Sequence, residues 1–309
     1  MSGPIVVLGM HRGGTSLVGD VIHRWGAYAG QESKLLRADE NNQQGYWEYI
    51  PLINFNDNLL NSIGCTWLVP PGNEAEETLA ARASEAAYKK PAEQLVMEMQ
   101  AGGRYWFWKD PRLTVLLPFW KRMWDEAIYV ISVRHPLEIA MSLRKRDHAP
   151  LSASLLIWQQ YMLQCLRHTE DSKKKIFIKY EKLIQSPLEE CTRLCAFLNS
   201  SSGCEGSDPD VPKKMAAAVK VGLRHNTSRL PFSEDPQASV QQKILDDILS
   251  ERAEDRAGPF EQAKLALYPG WKEYLQTFAA LSKLWQQFRG QEQLLLSQTS
   301  RAHRELFGF

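Results

Sequence analysis

Residues 5–16 read Ile5-Val-Val-Leu-Gly-Met-His-Arg-Gly-Gly-Thr-Ser16, and this stretch decides the fold. Four apolar residues, mostly β-branched, end at Gly9, the pattern of a short strand buried on both faces in a parallel sheet. A glycine-rich turn follows. From Thr15 the apolar residues Leu17, Val18, Val21, Ile22 and Trp25 recur at helical spacing, and Gly26 stops the run. Strand, turn and helix open a βαβ unit. Gly9 to Ser16 has the spacing of a phosphate-binding loop, except that Thr15 stands where a lysine would grip the phosphate. The backbone N–H groups of Gly13, Gly14, Thr15 and Ser16, with the helix N-terminus behind them, still form an oxyanion cradle, and Arg12 brings a charge from within the loop. A tight turn that merely needs glycine reads the same way.

Outward from this unit, residues 30–46 are polar and aperiodic and read as a long loop. Helical patterns cover 48–62 and 75–100, with Pro91 marking a kink or break in the second. An aromatic strand spans 105–108, a helix 112–124 and an apolar strand 127–133. Pro136 opens a helix that runs to about 146. A helix over 151–168, a strand over 176–179 and a helix over 187–199 complete the pattern, and residues 200–212 read as a turn-rich linker. Alternating strands and helices predict an α/β fold: a P-loop-like, doubly wound parallel sheet of about four to five strands with helices on both faces. The chain beyond about 240 is helix-like, so residues 1–230 are expected to form the ligand-binding domain and 231–309 a helical C-terminal extension. In such a sheet the ligand lies at the carboxyl ends of the strands.

The 309 residues carry 37 basic and 36 acidic side chains, a net charge of +1, which argues against a nucleic-acid partner and leaves room for local basic pockets. Five cysteines at irregular spacing, with no CxxC pair, read as reduced thiols. The apolar run before Gly9 is too short for a secretion signal or a membrane span, so a soluble, cytoplasmic protein is expected.

A second basic element follows the strand 127–133. It ends in Arg134, where a magnesium-holding aspartate would make a kinase-like site, so an anionic ligand held without a metal is expected. Arg134 precedes a proline-opened helix, with Ser142 eight residues further on. Arginine meets phosphate oxygens two at a time and serine adds a donor.

The loop His11-Arg-Gly-Gly-Thr-Ser16 resembles the 5'-phosphosulfate loop of the sulfotransferases that use 3'-phosphoadenylyl sulfate (PAPS), with Arg12 at the position of the family's basic residue. Arg134-His-Pro through Ser142 resembles the family's 3'-phosphate motif. Asn41–Glu48 (NNQQGYWE), Lys109-Asp-Pro-Arg112 and Phe177–Pro187 (FIKYEKLIQSP) are similar to segments of a bacterial branch. The resemblance covers roughly residues 4–230. It implies PAPS as donor, PAP as product, and Tyr180 beside the adenine. Arg224, in Leu-Arg-His, is the candidate for a basic element closing over the 3'-phosphate.

The implied reaction moves a sulfuryl group onto a hydroxyl of a carbohydrate or small metabolite. Such a transfer is served by positioned cations, here Arg12 and then Lys109, unless Lys109 merely partners Asp110. Three residues are candidates for the general base: Glu48 behind Tyr46-Trp47, Glu32 about 20 residues beyond Arg12, and His11 in the loop. Tyr46, Trp47, Trp67, Trp106 and Trp108 could line an acceptor cleft or belong to the core. A P-loop kinase or NTPase, and a non-catalytic nucleotide-binding scaffold, are the competing readings. The helical tail would suit a homo-oligomer surface.

Overall fold

A computed structural model describes residues 3–39, 42, 45–204, 208–220, 276, 277 and 280. The expected extension over 231–309 and the boundary at 230 therefore lie outside the described residues, apart from three helical positions.

Four strands form one parallel sheet: β1 (Ile5–Leu8), β2 (Phe107–Lys109), β3 (Ile128–Val133) and β4 (Lys175–Lys179), in the order β2-β1-β3-β4. From β1 the chain passes to β2 on one side and then returns past β1 to β3. The crevice between the carboxyl ends of β1 and β3 is thus the switch point where such sheets bind ligands. The helices are α1 (Thr15–Trp25), α2 (Ile50–Asn61), α3 (Glu76–Arg82), α4 (Ala86–Gly102), α5 (Leu113–Trp120), α6 (Pro136–Asp147), α7 (Leu151–Thr169), α8 (Tyr180–Gln185), α9 (Pro187–Ser202) and α10 (Val211–Ala216).

The strands are buried on both faces, as their continuous apolar character requires. Val6 and Leu8 of β1, with Tyr129, Ile131 and Val133 of β3, point into one core, which α2 to α7 cover. Ile5 and Val7, with Ile128 and Val130, point into a second core, covered by α1, α8, α9 and α10. The period of two along each strand thus sorts the hydrophobic side chains into two layers.

Several boundaries differ from the sequence expectation. The second strand begins at Phe107, because residues before it pair with Tyr28 instead: Tyr28 N donates to Tyr105 O at 2.8 Å, and Ile5 pairs first with Phe107. The helix expected over 48–62 starts at Ile50, since Glu48 O already accepts from Leu36 N at 2.8 Å. The break in the 75–100 helix falls at residues 83–85, not at Pro91. Glu85 caps the new helix, its carbonyl accepting from Tyr88 N and Lys89 N, and exposed Pro91 sits inside α4, forfeiting one hydrogen bond without ending it. α5 closes at Trp120 in a turn where Met123 N donates to Trp120 O at 2.8 Å. The expected linker 200–212 is partly helical, because α9 continues to Ser202 and stops at left-handed Gly203. The long loop at 30–46 holds a short 3-10 turn, Glu32–Lys34. Among the described residues no helix is long and apolar enough to cross a membrane.

Candidate active site

The turn after β1 is pinned by side chains from three other segments. Gly9 N donates to Thr114 Oγ1 at 2.9 Å, and Thr114 Oγ1 donates back to Gly9 O at 3.0 Å. Ser132 Oγ of β3 donates to Gly13 O at 2.8 Å, and Gly13 N closes a turn onto Met10 O at 2.9 Å. Gly14 enters α1 with φ 88°, and a Cβ there would lie 2.4 Å from Tyr180 Cδ2. The loop therefore needs glycine at position 14 for two reasons, left-handed backbone and close approach of Tyr180. Arg12 is itself left-handed, with φ 65°, which turns it out of the loop toward α6.

There its Nε donates to Ser142 Oγ at 2.8 Å. Arg134 Nη1 donates to the Arg12 carbonyl at 3.2 Å, while its Nε holds Glu138 Oε2 at 3.1 Å. The Arg134 guanidinium lies 4.5 Å from the centre of the Tyr180 ring. Arg12, Gly14, Arg134, Ser142 and Tyr180, drawn from three separate stretches of sequence, thus form one contact cluster at the switch point. Burial, and then the nearby Arg146 and Arg134, press the Arg12 guanidinium below its ordinary pKa. Cations held this close repel one another, and an anion between them would relieve that cost.

Beside the cluster lies an ion pair that the sequence left open. Lys109, at the end of β2, donates from Nζ to Glu48 Oε1, and lies 3.3 Å from Ser16 Oγ. Both side chains are nearly inaccessible, at 1% and 9%. Lys109 is not the partner of Asp110. That carboxylate takes hydrogen bonds from Asn56 Nδ2 at 2.8 Å and Arg112 Nη1 at 2.9 Å, and Arg112 reaches on to Asp57. Burial pushes the Glu48 carboxyl up and the Lys109 ammonium down, each opposed by its partner's charge.

His11 packs against Trp67, with ring centres 4.6 Å apart, and against Tyr161 at 6.1 Å. Its Nε2 is buried and has no hydrogen-bond partner. Burial, followed by Arg112, Arg146, Lys109 and Arg12, holds it well below 6.5 and hence neutral. Glu32 is exposed on its turn, whose Lys34 is tied to Glu98 of α4 at 2.5 Å. Arg224 lies outside the described residues.

The expected aromatic cleft divides. Trp106 and Trp108 are core residues, each 1% exposed, and Trp108 packs edge-on against both Trp106 and Trp120. Trp47, with φ 56°, packs on His23 of α1 at 4.4 Å. Tyr46 and Trp67 remain at the site. Tyr46 Oη donates to Asp39 at 2.6 Å, its ring 6.0 Å from Lys109 Nζ, and Trp67 lies on His11. Sequence reasoning missed Thr114 and Ser132, which anchor the loop, and Arg146. Only Arg146 carried a signal, its spacing of one helical turn from Ser142.

A P-loop-like parallel sheet whose switch point gathers Arg12 and Arg134 at a glycine-rich, lysine-free loop defines an α/β protein of the doubly wound kind. The profile of the sulfotransferase family matches residues 4–201, and the chain belongs to that family. Three solved structures are similar to it. The sulfotransferase domain from the curacin biosynthetic pathway is 18% identical over 80% of this chain and 98% of its own, with a TM-score of 0.49. The sulfotransferase domain from the Synechococcus PCC 7002 olefin synthase is 18% identical over 90% and 96%, with a TM-score of 0.40. A sulfotransferase from Mycobacterium avium is 15% identical over 80% and 76%, with a TM-score of 0.46. No curated protein matches the sequence.

Proposed function

We propose that this sulfotransferase takes its sulfuryl group from PAPS and passes it to a hydroxyl of a carbohydrate or small metabolite. The observation that carries this reading is the contact of Arg12 with both Ser142 and Arg134, which joins the two candidate anion-binding motifs into one site. A donor bearing a phosphosulfate and a separate phosphate needs both. The N–H groups of the loop from Gly13 to Ser16, with Arg12, suit the phosphosulfate, and Arg134 and Ser142 suit the 3'-phosphate. Tyr180 supports this arrangement from below, packed on Gly14 and Arg134.

The acceptor oxygen attacks sulfur, the bond from sulfur to the bridging phosphate oxygen breaks, and the electron pair leaves with PAP. The hydroxyl proton goes to a base, and the surroundings of Glu48 favour it over the other two candidates. Glu32 is exposed, and burial presses the basicity of His11 well down with its Nε2 shut from solvent. Glu48 is buried beside Lys109, and desolvation, opposed by the Lys109 charge, makes its carboxylate a stronger base than an exposed one. As Glu48 takes the proton, Lys109 gives up its counter-charge and, next to Ser16, can answer the negative charge growing on the leaving group.

Thermal stabilisation by PAP, compared with ATP and magnesium, tests the donor. PAP should stabilise the wild type and fail with Arg134→Ala. Stabilisation by ATP and magnesium alone would mean a kinase, and no response to either a non-catalytic scaffold. With PAPS and a panel of hydroxyl acceptors, Glu48→Gln should lower PAP release by about 10²–10⁴-fold while leaving PAP affinity in place. An undiminished rate would reject Glu48 as the base.

A further inference from the structure

Arg146 stands one helical turn beyond Ser142, so α6 presents Glu138, Ser142 and Arg146 as a stripe along the loop, four residues apart. Glu138 holds Arg134 and Ser142 holds Arg12. Arg146 instead meets an aromatic ring. Its guanidinium lies 5.6 Å from the centre of the Trp67 ring, and Trp67 in turn lies on His11. Tyr161 Oη fixes the shelf by donating to Trp67 O at 3.3 Å.

Arg146 therefore faces a place different from that of Arg134. Arg134 is stacked on Tyr180 beside Gly14, where the donor motifs meet, whereas Arg146 is stacked on the aromatic shelf at His11. Both flank Arg12. The acid paired with Arg146 is its sequence neighbour Asp147, at 2.7 Å, and the pair is still 21% and 15% exposed. A guanidinium has five N–H donors; Asp147 takes the Nε–Nη2 edge of Arg146, and the Nη1–Nη2 edge is the one left for a second carboxylate-like group.

We propose that Arg146 and Trp67 form a subsite for an anionic group on the acceptor. Trp67 carries the ring or apolar part of that molecule, and Arg146 binds a carboxylate or an equivalent oxyanion next to the hydroxyl that is sulfated. The acceptor class is then an acidic carbohydrate or acidic metabolite rather than a neutral one. This rests on the sulfotransfer reading above and narrows it.

Isothermal titration of the PAP-saturated protein with phenyl β-glucuronide and phenyl β-glucoside tests the subsite, because the two ligands differ in one carboxylate. The glucuronide should bind at least about tenfold more tightly to the wild type. Arg146→Gln should bring the two within about twofold of each other, and Arg146→Lys should keep part of the preference. Affinity for PAP, titrated separately, should stay unchanged in both variants. No preference in the wild type, or no binding of either glycoside, overturns the subsite, as does a preference that survives Arg146→Gln. A loss of PAP affinity in Arg146→Gln reassigns Arg146 to the donor and overturns it as well. Failure of the wild type to bind PAP is a separate result and falls on the donor reading.

Discussion

Lys109 is 2% exposed, and its charge is tolerated because Glu48 sits on it. Removing one member strands the other as a buried, unpaired charge, which costs more than the pair contributes. Lys109→Met should therefore destabilise the protein by about 3–5 kcal/mol, and Lys109→Met with Glu48→Leu by clearly less, as urea unfolding would measure. A single variant no worse than the double would mean that the pair is not electrostatically linked. The variant also changes pH dependence. Burial already raises the Glu48 carboxyl, and losing the ammonium raises it further, so the acid limb of kcat/KM should move to higher pH.

His168 offers a second test at this scale, away from the site. It is buried in α7, its Nε2 donating to Gln164 Oε1 at 2.7 Å, and burial with Arg167 and Lys121 lowers it from 6.5 to about 4. The unfolded chain takes up this proton first, so stability falls as pH drops from about 6.5 toward 4. The drop in unfolding free energy between pH 7 and pH 5 should be smaller in His168→Gln by about 1–2 kcal/mol. An equal drop in both proteins would show that His168 does not set the acid limb.

Among the elements, α1 is bounded by two left-handed glycines that do different work. Gly26 has φ 117° and open space around its missing side chain, so Gly26→Ala meets backbone strain alone. It should cost about 1 kcal/mol and leave PAP binding intact. Gly14 has φ 88° and Tyr180 against it, so Gly14→Ala must also displace the ring that supports Arg134. It should cost at least about 2 kcal/mol and weaken PAP binding, read by thermal unfolding with and without PAP. Equal effects of the two changes would deny Tyr180 its supporting role. The sequence made the first of these roles legible and not the second. A strand, a glycine turn and an amphipathic helix are local patterns, as is Arg134 ahead of Pro136, so the sheet and the arginine positions could be read directly. The Lys109–Glu48 pair spans 61 residues and the Thr114–Gly9 bonds 105, and no local periodicity encodes such distances. The break at residues 83–85 was missed for the opposite reason. Pro91 is a strong local signal, but an exposed helix packed through Ala92, Leu95, Val96 and Met99 absorbs one lost hydrogen bond.

On the scale of the whole molecule, the sheet separates two cores and also joins them. Leu117 of α5 lies in one and Leu194 of α9 in the other, both essentially inaccessible, with the sheet between. Side chains in different layers share no contacts, so their losses should be independent. Yet β1 and β3 send alternate residues into both cores, and neither layer can keep its packing if these strands come apart. Leu117→Ala and Leu194→Ala should each cost about 2–5 kcal/mol, with the double variant near the sum to within about 0.5 kcal/mol. Each single variant should still unfold in one transition followed alike by tryptophan fluorescence and circular dichroism. Most of the packed indoles, Trp106, Trp108, Trp120 and Trp158, lie in the Leu117 core. If the layers unfolded separately, Leu117→Ala would shift the fluorescence transition ahead of the dichroism and Leu194→Ala would not. The loop after β1 is anchored by Thr114 from one layer and packed on Tyr180 from the other. One cooperative unit is therefore what the proposed site requires, since a layer that opened alone would release one wall of the Arg12–Arg134 cluster.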